Sequence, residues 1–488
     1  MWALCAPRAN PNYFQEVQKM SKQTFEELLA HVKTSSCPSE LKITDVKICD
    51  VGRPFGTSVI KILTNQGLEG YGQVREGCSR TYAVMLKRLI LGENPCNVDK
   101  LFRRIKQFGW HSHQGGGVSG IEVALWDLAG KAYGIPVWQM LGGKFRDQIR
   151  IYCDTDIHGK HDGTAMGHAL KERIETRGYS IVKMDLSAPE ICFDVPGAVT
   201  APTDYMRKYK EDEEKRGLQY RSISRLDEME KDERLEMIKL RNDIVYRECV
   251  PGNQRGIELT ELGLDLMEEY VKQVRDVVGM EVPIATDHFG PIGIGSCIRL
   301  AKRLEKYNLA WLEDMVPWMQ AEDLAEIQRN SNVPLCTGED IYLKENYKDL
   351  FEKHAVRYIH PDVISVGGIL ECKKVGDMAQ DYGINMVIHM NETPIAGMAA
   401  ANVAAATENF FAQEFHHHDH PDWSDMVVTR DNPIVHDGVI NVPNEPGIGI
   451  LALNDEWLEA HLAPSAHGKV WQDTDEWDFW QSRDRIWL

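Results

Sequence analysis

Three acidic residues, each at the end of a short apolar run, recur along the chain at one spacing. They are Asp287 in VPIATDHFG, Glu313 in LAWLEDMVP and Glu339 in VPLCTGEDI, and both intervals, 287 to 313 and 313 to 339, span 26 residues. This interval fits one strand, one helix and two connections, so three neighbouring parallel strands would bring the carboxylates to one rim. Any one of these acids alone would instead suggest a cap for the helix after its strand. Three in register favour the shared rim.

A rim of three carboxylates predicts a site for a hard divalent cation. Ligands that offer only oxygen suit Mg²⁺, or Mn²⁺ in its place, better than Zn²⁺, because no Cys or His joins the set at comparable spacing. We therefore predict that Asp287, Glu313 and Glu339 bind Mg²⁺.

Strand and helix patterns alternate at a near-constant period over most of the chain. Together with the runs that end at Glu313 and Glu339, the apolar runs at 149–153, 180–184, 282–285, 358–366, 385–389 and 409–415 make eight strands. The stretches between the later strands carry apolar residues at helical intervals and end in Gly or a polar break. Eight strands that alternate with helices predict an α/β fold, a closed (β/α)8 barrel with its chemistry at the carboxyl ends of the strands.

The chain divides into four predicted parts. Residues 1–41 form an amino-terminal extension, 42–148 an α+β domain, 149–435 the barrel, and 436–488 a segment of strands and turns that returns to the α+β domain. A polar insert at 188–255 interrupts the barrel and carries both charge signs at helical spacing. A solvated helical arm is the favoured interpretation, and a lid or subunit contact is the alternative.

Charge and composition restrict the partners. The net charge of −19 disfavours nucleic acid and anionic membranes, because both require clustered cations. No apolar stretch is long enough to span a bilayer, and the first thirty residues lack the apolar core of a secretory signal, so a cytoplasmic location is expected. The cysteines are odd in number, eleven, and show no CxxC spacing, which predicts reduced thiols.

Several further motifs accompany the three acids. They are VKMD at 182–185, HPDVISVGGILECKK at 360–374, His389, and AQEF at 412–415. With these motifs the chain, from about residue 42 to 450 outside the insert, resembles the enolase superfamily in its mandelate racemase and muconate lactonizing enzyme branch. Within that branch it is most similar to sugar-acid dehydratases of the galactonate dehydratase type. The resemblance implies a barrel capped by an α+β domain from both chain ends, an essential Mg²⁺, and removal of the proton beside a substrate carboxylate.

The resemblance also implies roles for individual residues. Lys183 is the cation beside the substrate carboxylate, and Glu414 is a partner on the far side of that carboxylate. His389 is the base, and Asp362 orients its imidazole; the interval from 362 to 389 is 27 residues, again one barrel unit. The alternatives are a core lysine that extends to solvent and a structural histidine.

One position separates the reactions that such a site could catalyse. Branch members that racemise carry a second lysine where this chain has Asp185, so a two-base racemisation lacks its usual second base. In galactonate dehydratase-like members a His two residues beyond the metal-binding Asp protonates the leaving group, whereas here His288 follows Asp287 directly. On a regular strand His288 would point away from the pocket, unless a bulge at the strand end restored it.

Two loops complete the predicted site. Arg53 lies where the family's capping domain sends a specificity loop over the substrate. The run HHHDH at 416–420 favours a polar wall of the active site over a zinc site, because no second ligand motif accompanies it.

The sequence thus leads to a functional hypothesis with two rivals. The hypothesis is a Mg²⁺-dependent dehydratase of an aldonic or aldaric acid that gives a 2-keto-3-deoxy product. A cycloisomerase or epimerase could use the same enediolate, and a catalytically silent carboxylate-binding or scaffold protein is the rival from another class. Family members are often oligomers, so a homo-oligomer is expected.

Overall fold

The computed structural model of the chain describes residues 36–52, 54–112, 115–155, 162–200, 230–236, 239, 257–290 and 292–479. Most of the predicted extension at 1–41 lies outside these residues, and so does most of the predicted insert at 188–255. Within the insert, residues 231–236 are helical.

An antiparallel sheet with helices forms the amino-terminal part of the fold, in the order β1-β2-β3. Sheet and helix approach closely at Gly72, where a Cβ would lie 2.0 Å from the carbonyl oxygen of Gly120. The strands are β1 (Ile43–Asp50), β2 (Ser58–Thr64) and β3 (Glu69–Gln73), and the helices are Thr81–Val84, Lys87–Ile90, Val98–Ile105, Gly117–Tyr133 and Val137–Met140.

Eight parallel strands close into a barrel, which confirms the predicted fold class. Neighbouring strands pair in chain order from β4 to β11, and β11 pairs with β4 to close the ring. The strands are β4 (Gln148–Cys153), β5 (Val182–Asp185), β6 (Ile284–Asp287), β7 (Leu312–Glu313), β8 (Leu335–Thr337), β9 (Tyr358–Ile359), β10 (Asn385–Ile388) and β11 (Phe410–Phe415).

Helices alternate with the barrel strands. Side-chain caps start several of them: Asp162 accepts hydrogen bonds from the amides of Thr164 (2.8 Å) and Ala165 (3.2 Å). The helices are Gly163–Arg177, Ala188–Cys192, Glu261–Val278, Ile294–Leu304, Ala321–Asn330, Lys348–Glu352, Ile369–Asp381 and Pro394–Ala406. Among the described residues, no helix combines the length and apolarity needed to cross a membrane.

The predicted strand at 358–366 was too long. Only its first two residues are extended, and a turn follows. Pro361 has no amide hydrogen to donate, and the carboxylate of Asp362 accepts hydrogen bonds from the amides of Ile364 (2.6 Å) and Ser365 (2.9 Å). These bonds hold the turn that ends the strand.

An apolar layer inside the barrel supports the rim. Because side chains alternate along a strand, the residue two positions after a member of this layer also points into the barrel. Six residues at the rim therefore each lie two positions after a member of this layer and point inward above it. They are Asp154, Lys183, Asp287, Glu313, His389 and Glu414, which follow Tyr152, Ile181, Ala285, Trp311, Val387 and Ala412 in that order. The strand pattern thus builds one inward-facing polar layer.

The carboxyl-terminal chain contacts both parts of the fold. Strand β14 (Val439–Asn441) pairs antiparallel with β4 and with β13 (Val435–His436). Strand β12 (Val427–Val428) pairs with β15 (Ala452–Leu453), and the helix Asp455–Ala460 follows. Farther along, bridges join Leu462 to Val51 and Gln472 to Ile48. The nine cysteines among the described residues form no disulfide.

Candidate active site

The predicted metal ligands lie at the rim, at the carboxyl ends of three neighbouring strands: Asp287 ends β6, Glu313 ends β7, and Glu339 follows β8. The carboxylates of Glu313, Asp314 and Glu339 offer oxygen atoms that lie within 4.8 Å of one another. Lys183 connects Asp287 to this group, because its Nζ lies 3.1 Å from Asp287 Oδ2 and 3.2 Å from Glu313 Oε1. The sequence prediction missed Asp314, although it follows Glu313 directly.

The charges of this group suit a divalent cation. Burial raises the pKa of Asp287 to about 7, and the negative charges of Glu313 and Glu339 act in the same direction, against Lys183. Carboxylates crowded in a buried site repel one another, and a bound cation relieves this repulsion. The donors are oxygens, which hard cations such as Mg²⁺ and Mn²⁺ prefer.

Lys183 is buried among carboxylates and does not extend to solvent. Its side chain is 2% exposed, and Nζ lies 2.6 Å from Glu414 Oε1 in addition to its contacts with Asp287 and Glu313. Burial lowers the pKa of Lys183, but the carboxylates outweigh burial and raise the pKa well above its ordinary value. Lys183 therefore carries a fixed positive charge at the centre of the rim.

His389 and Asp362 form the predicted pair. His389 Nδ1 lies 2.6 Å from Asp362 Oδ2, and the backbone amides that bind Asp362 fix the carboxylate in place. A proton on Nδ1 satisfies this contact and leaves Nε2, which faces Glu339 Oε2 at 3.2 Å, for proton transfer. Burial lowers the pKa of His389, but Glu339 and Asp362 raise it well above its ordinary value.

His288 reaches the rim, although its position in the sequence differs by one from the expected position. Its φ is 56°, so the chain turns into the left-handed region directly after β6. This turn, and not a bulge, brings His288 Nδ1 to 2.9 Å from Asp185 Oδ1 at the end of β5. The hydrogen bond to Asp185 raises the pKa of His288 to about 10.

His360 is a central residue to which the sequence analysis gave no role. It is fully buried, and its Nδ1 lies 3.0 Å from Glu313 Oε1 while its Nε2 lies 3.3 Å from Glu414 Oε2 and 2.8 Å from the hydroxyl of Tyr152. Burial lowers the pKa of His360, but Glu313 and Glu414 raise it to about 9. The sequence could have indicated this position, because His360 lies two residues before Asp362 at the end of a barrel strand.

Glu414 lies in the inward-facing polar layer next to Lys183. It is fully buried, and burial raises its pKa, but Lys183 and the histidines around it outweigh burial and lower the pKa well below its ordinary value. Glu414 is therefore a carboxylate held among cations.

The amino-terminal part contributes Arg75 to the rim. Arg75 Nη1 donates to the carbonyl oxygen of Glu339 (3.1 Å) and to Ser365 Oγ (2.5 Å), and Nη2 lies 3.5 Å from Glu339 Oε1. The sequence analysis missed this residue, which lies two positions after β3. The predicted Arg53 lies outside the described residues.

The histidine run at 416–420 divides into different environments. His416 faces the site, where its Nε2 lies 3.3 Å from Glu414 Oε1. His417 stacks on Trp423, and His418 Nε2 lies 3.3 Å from Asp419 Oδ2. The role of the run as a polar wall of the active site stays a prediction.

Known families match most of this chain. Residues 42–142 match the family described as mandelate racemase/muconate lactonizing enzyme, N-terminal domain, and residues 224–456 match the family described as enolase C-terminal domain-like. The chain is 30% identical over 429 residues to a D-xylonate dehydratase of Haloferax volcanii, which covers 87% of this chain and 89% of that protein. It is 25% identical over 432 residues to a D-galactonate dehydratase of Ralstonia pickettii, covering 85% of this chain and 94% of that protein.

A solved structure shows the same relationship. A mandelate racemase/muconate lactonizing enzyme-like protein from Rubrobacter xylanophilus superposes with a TM-score of 0.68 at 27% identity, covering 87% of this chain and 98% of that protein. The chain belongs to the mandelate racemase and muconate lactonizing enzyme branch of the enolase superfamily.

Proposed function

We propose that this protein is a Mg²⁺-dependent dehydratase that converts an aldonic or aldaric acid to its 2-keto-3-deoxy acid. The observation that carries the proposal is the presence of two imidazole–carboxylate pairs on opposite sides of the ring. His389 follows β10 and pairs with Asp362 in the turn after β9, and His288 follows β6 and pairs with Asp185 at the end of β5. The imidazoles are therefore four strands apart in a barrel of eight. The names of the two dehydratase relatives support the same reaction class.

The first step is removal of the proton beside the substrate carboxylate. That proton is weakly acidic, because its loss creates an enediolate with negative charge on neighbouring oxygens. A cation held by Asp287, Glu313 and Glu339 would supply the charge that stabilises those oxygens. The ammonium group of Lys183 lies among the same carboxylates. Among the groups that raise the pKa of His389 against burial, Glu339 acts most strongly, so a cation bound to that carboxylate would lower the pKa and leave Nε2 free to take the proton while Asp362 holds Nδ1.

The second step is loss of the β-hydroxyl. The pKa of His288, about 10, keeps its imidazole protonated at neutral pH, so His288 can donate a proton to the departing oxygen. The carbon–oxygen bond breaks, water leaves, and the enol that remains becomes the 2-keto acid. Because the base and the acid lie on opposite walls, we expect anti elimination. A protonated His288 also makes a poor second base, which disfavours the epimerase alternative.

The test combines hydrogen exchange with product analysis. A panel of aldonic and aldaric acids that begins with D-xylonate and D-galactonate is incubated with enzyme and Mg²⁺ in D₂O. Wild type should give keto acid, His389→Asn should lose both exchange and product, and His288→Gln should keep exchange of the α-proton but lose product by about 10²-fold or more. His354→Asn is the matched control, because His354 is exposed before β9, at the opposite end of the barrel.

Two results would overturn the proposal. A labelled epimer without keto acid would identify an epimerase, and binding of a sugar acid without exchange for any member of the panel would identify a carboxylate-binding protein.

A further inference from the structure

Arg75 of the amino-terminal part contacts the loops that follow two barrel strands, and the proposed reaction gives it no role. Its Nη1 donates to the carbonyl oxygen of Glu339 (3.1 Å), in the loop after β8, and to Ser365 Oγ (2.5 Å), in the turn after β9. Nη2 lies 3.5 Å from Glu339 Oε1, and Nη1 lies 3.4 Å from Asp340 Oδ1. One guanidinium group thus connects the loop of a proposed metal ligand to the next strand end.

The turn after β9 is the turn that orients the proposed base. The amide of Ser365 donates to Asp362 Oδ1 at 2.9 Å, and Asp362 Oδ2 lies 2.6 Å from His389 Nδ1. Arg75 therefore binds the hydroxyl of the same residue whose amide holds the carboxylate of Asp362. Because His389 Nε2 lies 3.2 Å from Glu339 Oε2, the contacts close a ring. Its members in order are Arg75, Ser365, Asp362, His389 and Glu339.

The backbone that carries Arg75 packs closely against the barrel. The Arg75 side chain is 15% exposed, and a Cβ on the left-handed Gly116 would lie 2.5 Å from Arg75 N and 2.9 Å from Ile364 Cγ2. Ile364 belongs to the turn after β9. The next residue, Glu76, accepts a hydrogen bond from Asn391 Nδ2 at 2.9 Å, in the loop after β10. Arg75 and Glu76 therefore contact three consecutive strand ends, those of β8, β9 and β10.

We propose that Arg75 is a positioning residue that sets the location of Glu339, a proposed metal ligand, relative to the base His389. A planar guanidinium group donates in fixed directions, so it can hold two loops in one geometry. Groups that bind the ligands of a metal ion orient those ligands, and their loss lowers metal affinity or activity by about 10- to 100-fold. This inference rests on the proposed function and gives the amino-terminal part a share in the chemistry of the barrel.

The test combines metal binding with the kinetics of exchange. Isothermal titration measures the Mn²⁺ affinity, and α-proton exchange in D₂O gives kcat and KM. Arg75→Ala should weaken Mn²⁺ binding and lower kcat, each by about tenfold or more, and should change KM by less than about threefold. Guanidinium ion, at a concentration too low to unfold the protein, should restore part of both losses because it can replace the missing group. Urea has nearly the same shape without the charge and should restore neither.

Arg104→Ala is the matched control for Arg75→Ala. Arg104 Nη1 binds the same kinds of acceptor, the carbonyl oxygen of Leu89 at 2.7 Å and Glu93 Oε1 at 2.9 Å, but both acceptors belong to the amino-terminal part. This variant should lower the melting temperature and leave Mn²⁺ affinity and kcat unchanged. If Arg75→Ala does not fold, Ser365→Ala keeps the guanidinium group and removes one acceptor. It should lower kcat for exchange by about threefold or more, and an unchanged kcat would overturn the inference.

The outcomes separate this inference from the proposed function. A raised KM with unchanged Mn²⁺ affinity would show that Arg75 binds substrate, and tighter Mn²⁺ binding would show that Arg75 competes with the cation for Glu339. A lowered melting temperature alone, or losses that guanidinium does not reduce, would show a contact that serves stability. Each of these results overturns the inference, while wild-type turnover leaves the dehydratase proposal intact. The Mn²⁺ titration needs no substrate, so it still tests whether Arg75 positions Glu339 if wild type converts no acid, the result that would overturn the proposed function.

Discussion

His288 and Asp185 join the ends of two neighbouring barrel strands, with His288 Nδ1 2.9 Å from Asp185 Oδ1. Asp185 is the register partner of Asp287, so a residue on β5 holds an imidazole that follows β6. The left-handed backbone at His288 makes this contact possible. Branch members that racemise carry their second lysine at the position of Asp185. In this fold Asp185 instead binds the imidazole of His288, the proposed acid.

We predict that Asp185→Asn moves the alkaline limb of dehydration to lower pH. The hydrogen bond to Asp185 raises the pKa of His288 to about 10, so in wild type the proton is held until pH approaches that value. Without the carboxylate, the pKa should fall toward the ordinary imidazole value of about 6.5, and the acid loses its proton at lower pH. The measurement is the pH profile of kcat for keto acid formation, with α-proton exchange on the same samples as the control. An unchanged alkaline limb would show that His288 is not the acid.

We predict that Asp362→Asn lowers kcat for α-proton exchange by about 10²- to 10⁴-fold with little change in KM. The asparagine oxygen can still accept from Ile364 and Ser365, but its amide cannot accept the Nδ1 proton of His389, so the imidazole adopts the wrong tautomer. Steady-state exchange kinetics measure the effect, and thermal melting shows whether the turn survives. An exchange rate within threefold of wild type would show that proton transfer by His389 does not depend on the carboxylate of Asp362.

The barrel and much of its rim were readable in the sequence, because both follow from repeated local patterns. The interval between Asp287, Glu313 and Glu339 is the length of a strand–helix unit, and the pairing of β6 with β7 and of β7 with β8 brings the three acids to one side of the rim. The interval of 27 residues likewise joins Asp362 to His389. Such intervals fix which strand a residue belongs to, and alternation along the strand fixes whether it points inward.

The positions of His288 and Arg75 depend on information that no local sequence pattern holds. The position of His288 rests on the φ angle of a single residue, which the surrounding structure selects. Arg75 meets Glu339 across 264 residues and between two parts of the fold, so no spacing could reveal the contact. His360 and Asp154 are different, because two-residue alternation from Asp362 and from Tyr152 would have placed both on the inner face.

We predict that the rim binds one Mg²⁺, and Mn²⁺ in its place, through the three acids. Glu313→Gln should weaken Mn²⁺ binding by more than about tenfold, because it removes one charged ligand of a hard cation. Isothermal titration with Mn²⁺ measures this affinity directly, and a chelator should abolish α-proton exchange until Mg²⁺ is restored. Glu322→Gln, on the exposed face at the start of the helix Ala321–Asn330, is the control. Equal affinity in Glu313→Gln and wild type would place the cation elsewhere.

We predict that Lys87→Met destabilises the fold by about 2–4 kcal/mol, because it removes a buried charge and a hydrogen-bond donor of Asp45 and Asp478. Lys87 is 1% exposed, and its Nζ lies 2.6 Å from Asp45 Oδ1 on β1 and 2.7 Å from Asp478 Oδ1 in the carboxyl-terminal chain. It also donates to Thr474 Oγ1 at 3.0 Å. Lys100→Met is the matched control, because the exposed Lys100 pairs with Glu93 on the surface and should cost less than about 1 kcal/mol.

The effect of Lys87→Met should depend on pH. Burial raises the pKa of Asp45, but hydrogen bonds from Lys87 and Lys47 outweigh it and lower the pKa below its ordinary value. A carboxyl group with a lowered pKa stabilises the folded state above its ordinary pKa, and this stabilisation is lost as pH falls through the lowered value. Urea unfolding of wild type and Lys87→Met should therefore show their largest difference near neutral pH and a smaller one in acid. A difference that stays constant as Asp45 titrates would show that Lys87 contributes through packing alone and not through its charge.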